Sequence, residues 1–181
     1  NNGTFNCNGR AVTFKRAGNI NINNATTFDY LFVDITAGGQ LTLNASIIVN
    51  TNLTFTNGYI NLYSYNLTVT SGGSISGASA SKFILAGSSG SLIMTVGGSD
   101  VTFPIGYAVA YYSPVILNNP NTSDNFSVNV SSTVANATLD DTRRVNLQWT
   151  ISEGSAGSSA STVKLQWPSG KQAASFNPAG T

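Results

Sequence analysis

The sequence has no histidine, one cysteine (Cys7) and one methionine, and its eight Lys or Arg and seven Asp or Glu make charged residues only 8% of the chain. An ordinary globular domain carries roughly 25%. Without histidine there is no Ser-His-Asp or Cys-His nucleophile, no imidazole metal ligand and no ordinary pH switch. A single cysteine excludes a disulfide framework and a thiolate zinc cluster. The net charge of +1 gives no electrostatic footprint for nucleic acid or an anionic membrane, and Lys15-Arg16 and Arg143-Arg144 are the only close basic pairs. No apolar run approaches the roughly 20 residues of a spanning helix. These absences lead to expectations of no cofactor, no nucleic-acid partner and no membrane insertion. The chain opens at Asn1 with no signal-like segment, which reads as a mature product or an excised piece.

Hydrophobic residues nevertheless reach 41%, so the chain is not of the disordered type. Asn (22), Ser (23) and Thr (20) together make about a third of it. Strong helix formers are scarce, while β-branched and aromatic residues recur in short alternating runs punctuated by Gly, Asn and Ser. The chain reads as all-β.

From about residue 28 to 76 the apolar pairs are Leu31/Val33, Leu41/Leu43, Ile47/Val49, Leu53/Phe55, Ile60/Leu62 and Leu67/Val69, then Ile75. Successive strands start too close together for ordinary hairpins. Three strands per turn give a rung of about 20 residues, a period that points to a solenoid. Leu41 then stacks near Ile60, Ile47 near Leu67 and Leu53 near Ile75. This is the outline of a right-handed parallel β-helix, assigned to residues 1–98.

After about residue 90 the alternations lengthen: Leu92/Met94/Val96, Val101/Phe103/Ile105, Phe126/Val128/Val130, Val145/Leu147/Trp149/Ile151 and Val163/Leu165/Trp167. One apolar and one wet face is the pattern of antiparallel strands packed on one side. Residues 99–181 are therefore read as a small antiparallel β-sandwich, with the boundary at Gly97-Gly98-Ser99.

Several strings carry a family likeness. Asn52-Leu53-Thr54-Phe55-Thr56-Asn57-Gly58 and Tyr65-Asn66-Leu67-Thr68-Val69-Thr70 lead into Ser74-Ile75-Ser76-Gly77, then Ser81-Lys82-Phe83-Ile84, Phe103-Pro104-Ile105-Gly106 and Tyr112-Ser113-Pro114-Val115. Arg144-Val145-Asn146-Leu147-Gln148-Trp149-Thr150-Ile151 and Val163-Lys164-Leu165-Gln166-Trp167 close the series. In this order they resemble the large secreted surface proteins of Bacteroidota. The resemblance implies export by the type IX pathway to the cell surface or medium, as adhesins, stalks or fibre components, with no catalytic motif. Two departures stand out. The usual C-terminal sorting domain is not in this sequence, and the chain stops at Phe176-Asn177-Pro178-Ala179-Gly180-Thr181, where relatives continue into further strands. The sandwich is accordingly expected to be incomplete at its C-terminus.

Carbohydrate-cleaving β-helices need clustered acids on one face. The expected solenoid offers only Asp29 and Asp34, and the one acidic pair, Asp140-Asp141, lies beside Arg143-Arg144 and reads as solvated charge. The chain is read as not an enzyme. Cys7 reads as a small buried thiol. Thr42, Thr54, Thr56, Thr68 and Thr70 raise an ice-binding surface, but their spacings place them on different faces.

Tyrosines suit either glycan stacking or packing. Tyr59, Tyr63 and Tyr65 cluster in one rung, and Tyr107, Tyr111 and Tyr112 lie near the domain junction, where capping of the core is the competing role. Nine Asn-X-Ser/Thr sequons, at Asn2, Asn24, Asn44, Asn52, Asn66, Asn121, Asn125, Asn129 and Asn136, are candidate glycosylation positions. The favoured reading is a structural surface protein whose partner is itself, as a homopolymer or stacked solenoids, with a donated strand at Gly3, Thr4 and Phe5 or at Ala11, Val12, Thr13 and Phe14. The alternative is a carbohydrate-binding module taking surface glycans through the tyrosines.

Overall fold

A strand of alternating character can bury only one face, so short strands joined by tight turns must share a core by stacking. The computed structural model, which describes residues 5–134, 142–157 and 160–177, shows this solution: an all-β chain built on a β-solenoid of about 5 turns. Among the described residues there is no α-helix, only a single 3-10 turn at Ser169–Lys171.

The first half contains β1 (Ala11–Ala17), β2 (Ile20–Ile22), β3 (Thr26–Thr36), β4 (Gln40–Leu43), β5 (Ile47–Asn57), β6 (Tyr59–Asn61), β7 (Leu67–Val69), β8 (Ser74–Ser76) and β9 (Ile84–Leu85). The second half contains β10 (Leu92–Val96), β11 (Val101–Phe103), β12 (Ile105–Gly106), β13 (Val115–Asn118), β14 (Asp124–Ser131), β15 (Gln148–Glu153) and β16 (Thr162–Leu165).

The long sheet runs β1-β3-β5-β7-β10-β14-β15, with β8 also on β5, and a second sheet of short strands runs β12-β9-β6-β4-β2. Leu41 pairs with Ile60, Ile47 with Leu67 and Leu53 with Ile75, the three stackings expected from the 20-residue rung. Strand β5 turns a corner at a register shift: its first half pairs β7 and its second half pairs β8, so each turn has three faces. Inside, Ile20, Leu41, Ile60, Ile84 and Ile105 form one apolar column, and Ile47, Leu67, Leu92, Val128 and Ile151 form another. Each fully buried aliphatic side chain contributes roughly 1.5–3 kcal/mol.

Outside, the Asn-rich composition finds its use. Asn44 Nδ2 donates to Asn23 Oδ1 (2.7 Å), Asn61 Nδ2 to Gln40 Oε1 (2.9 Å) and Asn52 Nδ2 to Ser74 Oγ (2.9 Å), each across one rung. At the corners glycine is required by space. Gly58 and Gly77 sit at φ 83° and 71°, and an added Cβ would meet Ile35 O at 2.5 Å and Phe55 O at 2.3 Å.

The ladder does not break at position 98. β12 stacks in parallel on β9, and β14 and β15 prolong the solenoid's long sheet as antiparallel strands. A separate antiparallel sheet, β11-β13-β16, shares the same hydrophobic cluster through Phe103, Val115 and Leu117. Its edge strand β16 departs from expectation. Val163 and Leu165 alternate toward the inner face, yet remain 48% and 36% exposed, because they pair outboard of Leu117 and Val115 at the sheet margin.

Candidate functional site

The rung spacing decides which tyrosines meet. Tyr63, at the turn after β6, is 53% exposed and holds φ 48°, a left-handed conformation that costs a bulky residue free energy. Its N–H donates to Asn61 Oδ1 (3.2 Å) and its carbonyl accepts from Gly90 N (2.8 Å), which fixes the turn. Tyr63 and Tyr107 then line one cleft of about 380 Å³ with Gln40, Asn61, Gly87 and Val109. Gln40 and Asn61 are one rung apart and hydrogen-bonded to each other. A strict reading of the rung period would have found them, whereas Val109 arrives from a loop that no local pattern places there.

The other tyrosines are spread out. Tyr107 and Tyr111 stack at 4.9 Å and 11°, with Lys171 Nζ over both rings at 4.7 and 4.3 Å. Tyr59 and Tyr112 both pack on buried Phe83, at 5.1 and 5.0 Å, and burial pushes the Tyr112 hydroxyl pKa up. These two serve the core, while exposed Tyr65 lies outside the cleft lining. The exposed Tyr30 on β3 was not singled out from the sequence.

The N-terminal segment covers the first turn. The Cys7 thiol is buried and donates to Asp29 Oδ2 (3.0 Å), while Gly9 N–H (2.8 Å) and Asn50 Nδ2 (3.0 Å) donate to the same carboxylate. The hydrogen bond from Asn50, then those from Cys7 and Gly9, hold the Asp29 pKa below its ordinary value. Asp34 is lowered likewise by Asn57 and then Lys15. Among the described residues no three His, Cys, Asp or Glu side chains gather as a metal site, and no helix is long and apolar enough to cross a membrane.

The residues expected as a donated strand include Ala11, Val12, Thr13 and Phe14. These residues form β1, paired in parallel with β3 of their own chain, with Val12 and Phe14 packed against the solenoid core. Phe5 lies 6.1 Å from Phe28, also in cis, while Gly3 and Thr4 are outside the described residues. β1 is engaged because its inward alternation matches Leu31 and Val33 directly.

Among the sequons, Asn24, Asn44, Asn66, Asn121 and Asn125 are exposed and Asn52 is half-buried; Asn2 and Asn136 lie outside the described residues, as do Asp140 and Asp141. Asn129 differs from the exposed sequons. It is 9% exposed, and its Nδ2 donates to the carbonyls of Ala86, Ser88 and Gly90 at 2.6–2.7 Å, so the atom a glycan would need is occupied in the folded chain. The threonines divide among faces: Thr42 is in β4, Thr54 and Thr56 in β5, and Thr68 in β7.

No protein-family model, curated protein or solved structure matches this chain. The functional reading therefore rests on the geometry.

Proposed function

We propose that this is a non-enzymatic, extracellular structural protein that associates with itself, as the subunit of a surface filament or as a segment of a cell-surface adhesin. One observation carries the reading: the long sheet ends in β1 on one side and β15 on the other, and no described strand pairs with either outer edge. Open sheet edges are templates for pairing with another chain. The low charge supports it, since little long-range repulsion separates copies. With this reading go the Bacteroidota-like, type IX-exported surface protein and the finer description of the fold as a right-handed parallel β-helix followed by a small antiparallel β-sandwich. Its supports are the parallel rungs and the two groups of antiparallel strands around one core.

Electron microscopy of the purified chain, with mass spectrometry of the particles, tests the proposal. Ordered filaments of a species near 18.8 kDa, plus any sugar, are the expected result. A chain found only inside a much larger polypeptide would favour the adhesin segment. Monodisperse single particles at high concentration would overturn self-association.

The cleft favours a second reading, a carbohydrate-binding module. Tyr63, held exposed on a strained turn, and Tyr107 flank a paired Gln40 and Asn61, an aromatic surface beside amide groups. Glycan-array or calorimetric binding lost in Tyr63→Ala and Tyr107→Ala would support it, and absence of binding in the unaltered chain would end it.

A further inference from the structure

A second cavity, of about 420 Å³, opens at the corner where β3 and β5 change faces, apart from the tyrosine cleft. Phe5 and Cys7 of the N-terminal segment, Asp29 of β3, and Ser46, Ile48 and Asn50 at the start of β5 line it. Its volume falls in the range of ordinary small-molecule sites. Phe28 pairs with Val49 and Tyr30 with Asn52, so the single residue Asp29 stands against two, Asn50 and Thr51. A bulge of this kind re-aims the side chains around it.

Two apolar side chains stand out in the wet half of the alternation. Ile48 occupies an outward position of β5 between Thr27 and Thr68 and is 39% exposed. Phe5 is 53% exposed, yet its ring is anchored 6.1 Å from that of buried Phe28. Between them lies a carboxylate with capacity to spare. Asp29 Oδ2 accepts from the Cys7 thiol (3.0 Å) and Gly9 N–H (2.8 Å), whereas Oδ1 accepts only from Asn50 Nδ2 (3.0 Å). Each carboxylate oxygen has room for two donors, so Oδ1 keeps one lone pair. The same bonds hold Asp29 ionised at neutral pH. Its charge is also uncompensated. Asp34 faces Lys15 at 3.1 Å and Asp100 faces Lys164 at 2.8 Å. No Lys or Arg lines this cavity, and none among the described residues pairs with Asp29.

We propose that this cavity binds an alkylammonium group, from a free amine or from a lysine side chain of another protein. The ammonium donates to Asp29 Oδ1, and its alkyl stem lies between Phe5 and Ile48. A cation beside the Phe5 ring gains cation–π attraction, and the methylenes of the stem cover apolar surface while the charge stays hydrated. The Asn50 and Ser46 side chains supply further acceptor oxygens at the same cavity. A neutral alcohol of the same shape fills the apolar part but leaves the carboxylate unmatched, and an anion is repelled by it. Because the charge is exposed, the affinity is modest, on the order of millimolar. The site stands whether or not the chain associates with itself.

The test is an NMR titration of the full chain at neutral pH and low salt. n-Butylammonium chloride should shift the backbone amides of Gly9, Asp29 and Ile48 saturably, and 1-butanol should bind at least about fivefold more weakly. Asp29→Asn should weaken n-butylammonium at least about fivefold, as should Ile48→Lys, which places a cation of the chain's own in the cavity. Phe5→Ala should weaken it about two- to fivefold. Phe5 and Ile48 are exposed, so these two variants test the site even if Asp29→Asn loosens the N-terminal segment; circular dichroism melts establish that each is folded. Nα-acetyl-lysine methylamide separates the sources. Binding as tight as n-butylammonium supports a lysine side chain, and its exclusion while n-butylammonium still binds supports a free amine. Equal affinity for 1-butanol and n-butylammonium, or unchanged affinity in Ile48→Lys, would overturn the proposal. So would the absence of saturable shifts up to about 50 mM ligand.

Discussion

Asn129 offers the sharpest test of how the second half of the chain is held to the solenoid. Its Nδ2 faces three carbonyl oxygens, those of Ala86, Ser88 and Gly90, on the segment that links β9 to β10. Only the amide nitrogen suits three acceptors, so the orientation of the amide is fixed by chemistry. Two hydrogens serve three oxygens, so one is shared. Replacing Asn129 by Leu removes both donors and leaves buried carbonyls without a partner. At roughly 1–1.5 kcal/mol per lost bond, plus desolvation of the stranded oxygens, the loss is about 3–4 kcal/mol. For a chain of this size each kcal/mol moves Tm by about 2–4 °C, which gives a fall of about 6–16 °C. Asn129→Asp should be at least as damaging, since it turns a carboxylate toward three oxygen lone pairs. Urea titration and thermal melts measure both. A change under about 1 kcal/mol for either variant would refute the view that this amide staples the β9–β10 connection to β14. Mass spectrometry of folded material should also find position 129 without sugar, whatever the exposed sequons carry.

Other outcomes follow from the same geometry. Leu53→Ala empties the centre of the Leu31–Leu53–Ile75 column, and chemical denaturation should record a loss of about 2–5 kcal/mol with the slope unchanged. Gly77→Ala drives a Cβ into Phe55 O at a positive φ, so thermal melts should show a marked loss, larger than for Gly157→Ala, where the added atom meets nothing within 4 Å. Asp29, Asp34 and Asp100 have pKa values lowered by Asn50, Asn57 and Lys164 as the leading partners. Their contribution is present above the unfolded carboxylate range and is lost as pH falls through the folded values. Stability should therefore decline below about pH 4, and side-chain NMR titration should place all three beneath ordinary aspartate.

The solenoid was legible in the sequence because its determinants are local. Period-2 alternation, together with turn residues at a fixed spacing, gives both the inward set and the rung length, and so places Leu53 beside Ile75 without reference to anything distant. The absence of histidine and the lack of charge likewise narrowed the chemistry before any fold was known. The tyrosine cleft was half legible: Tyr63 and Tyr107 stood out by type, but their meeting depends on where the chain returns after β9. Asn129 shows the limit most plainly. In sequence it is a sequon on an alternating strand, and its burial comes from carbonyls 39–43 residues earlier that converge on it.

Composition and alternation determined that this chain is all-β, that it coils with a rung of about 20 residues, and which side chains fill the coil. Only the tertiary structure decided that β1 pairs at home, that β14 and β15 extend the same long sheet past the expected boundary, and that Val163 and Leu165 stay exposed. The physical reason is that alternation tells a strand which face to bury, but not which strand will lie beside it. That choice is made by hydrogen bonds between residues far apart in the chain.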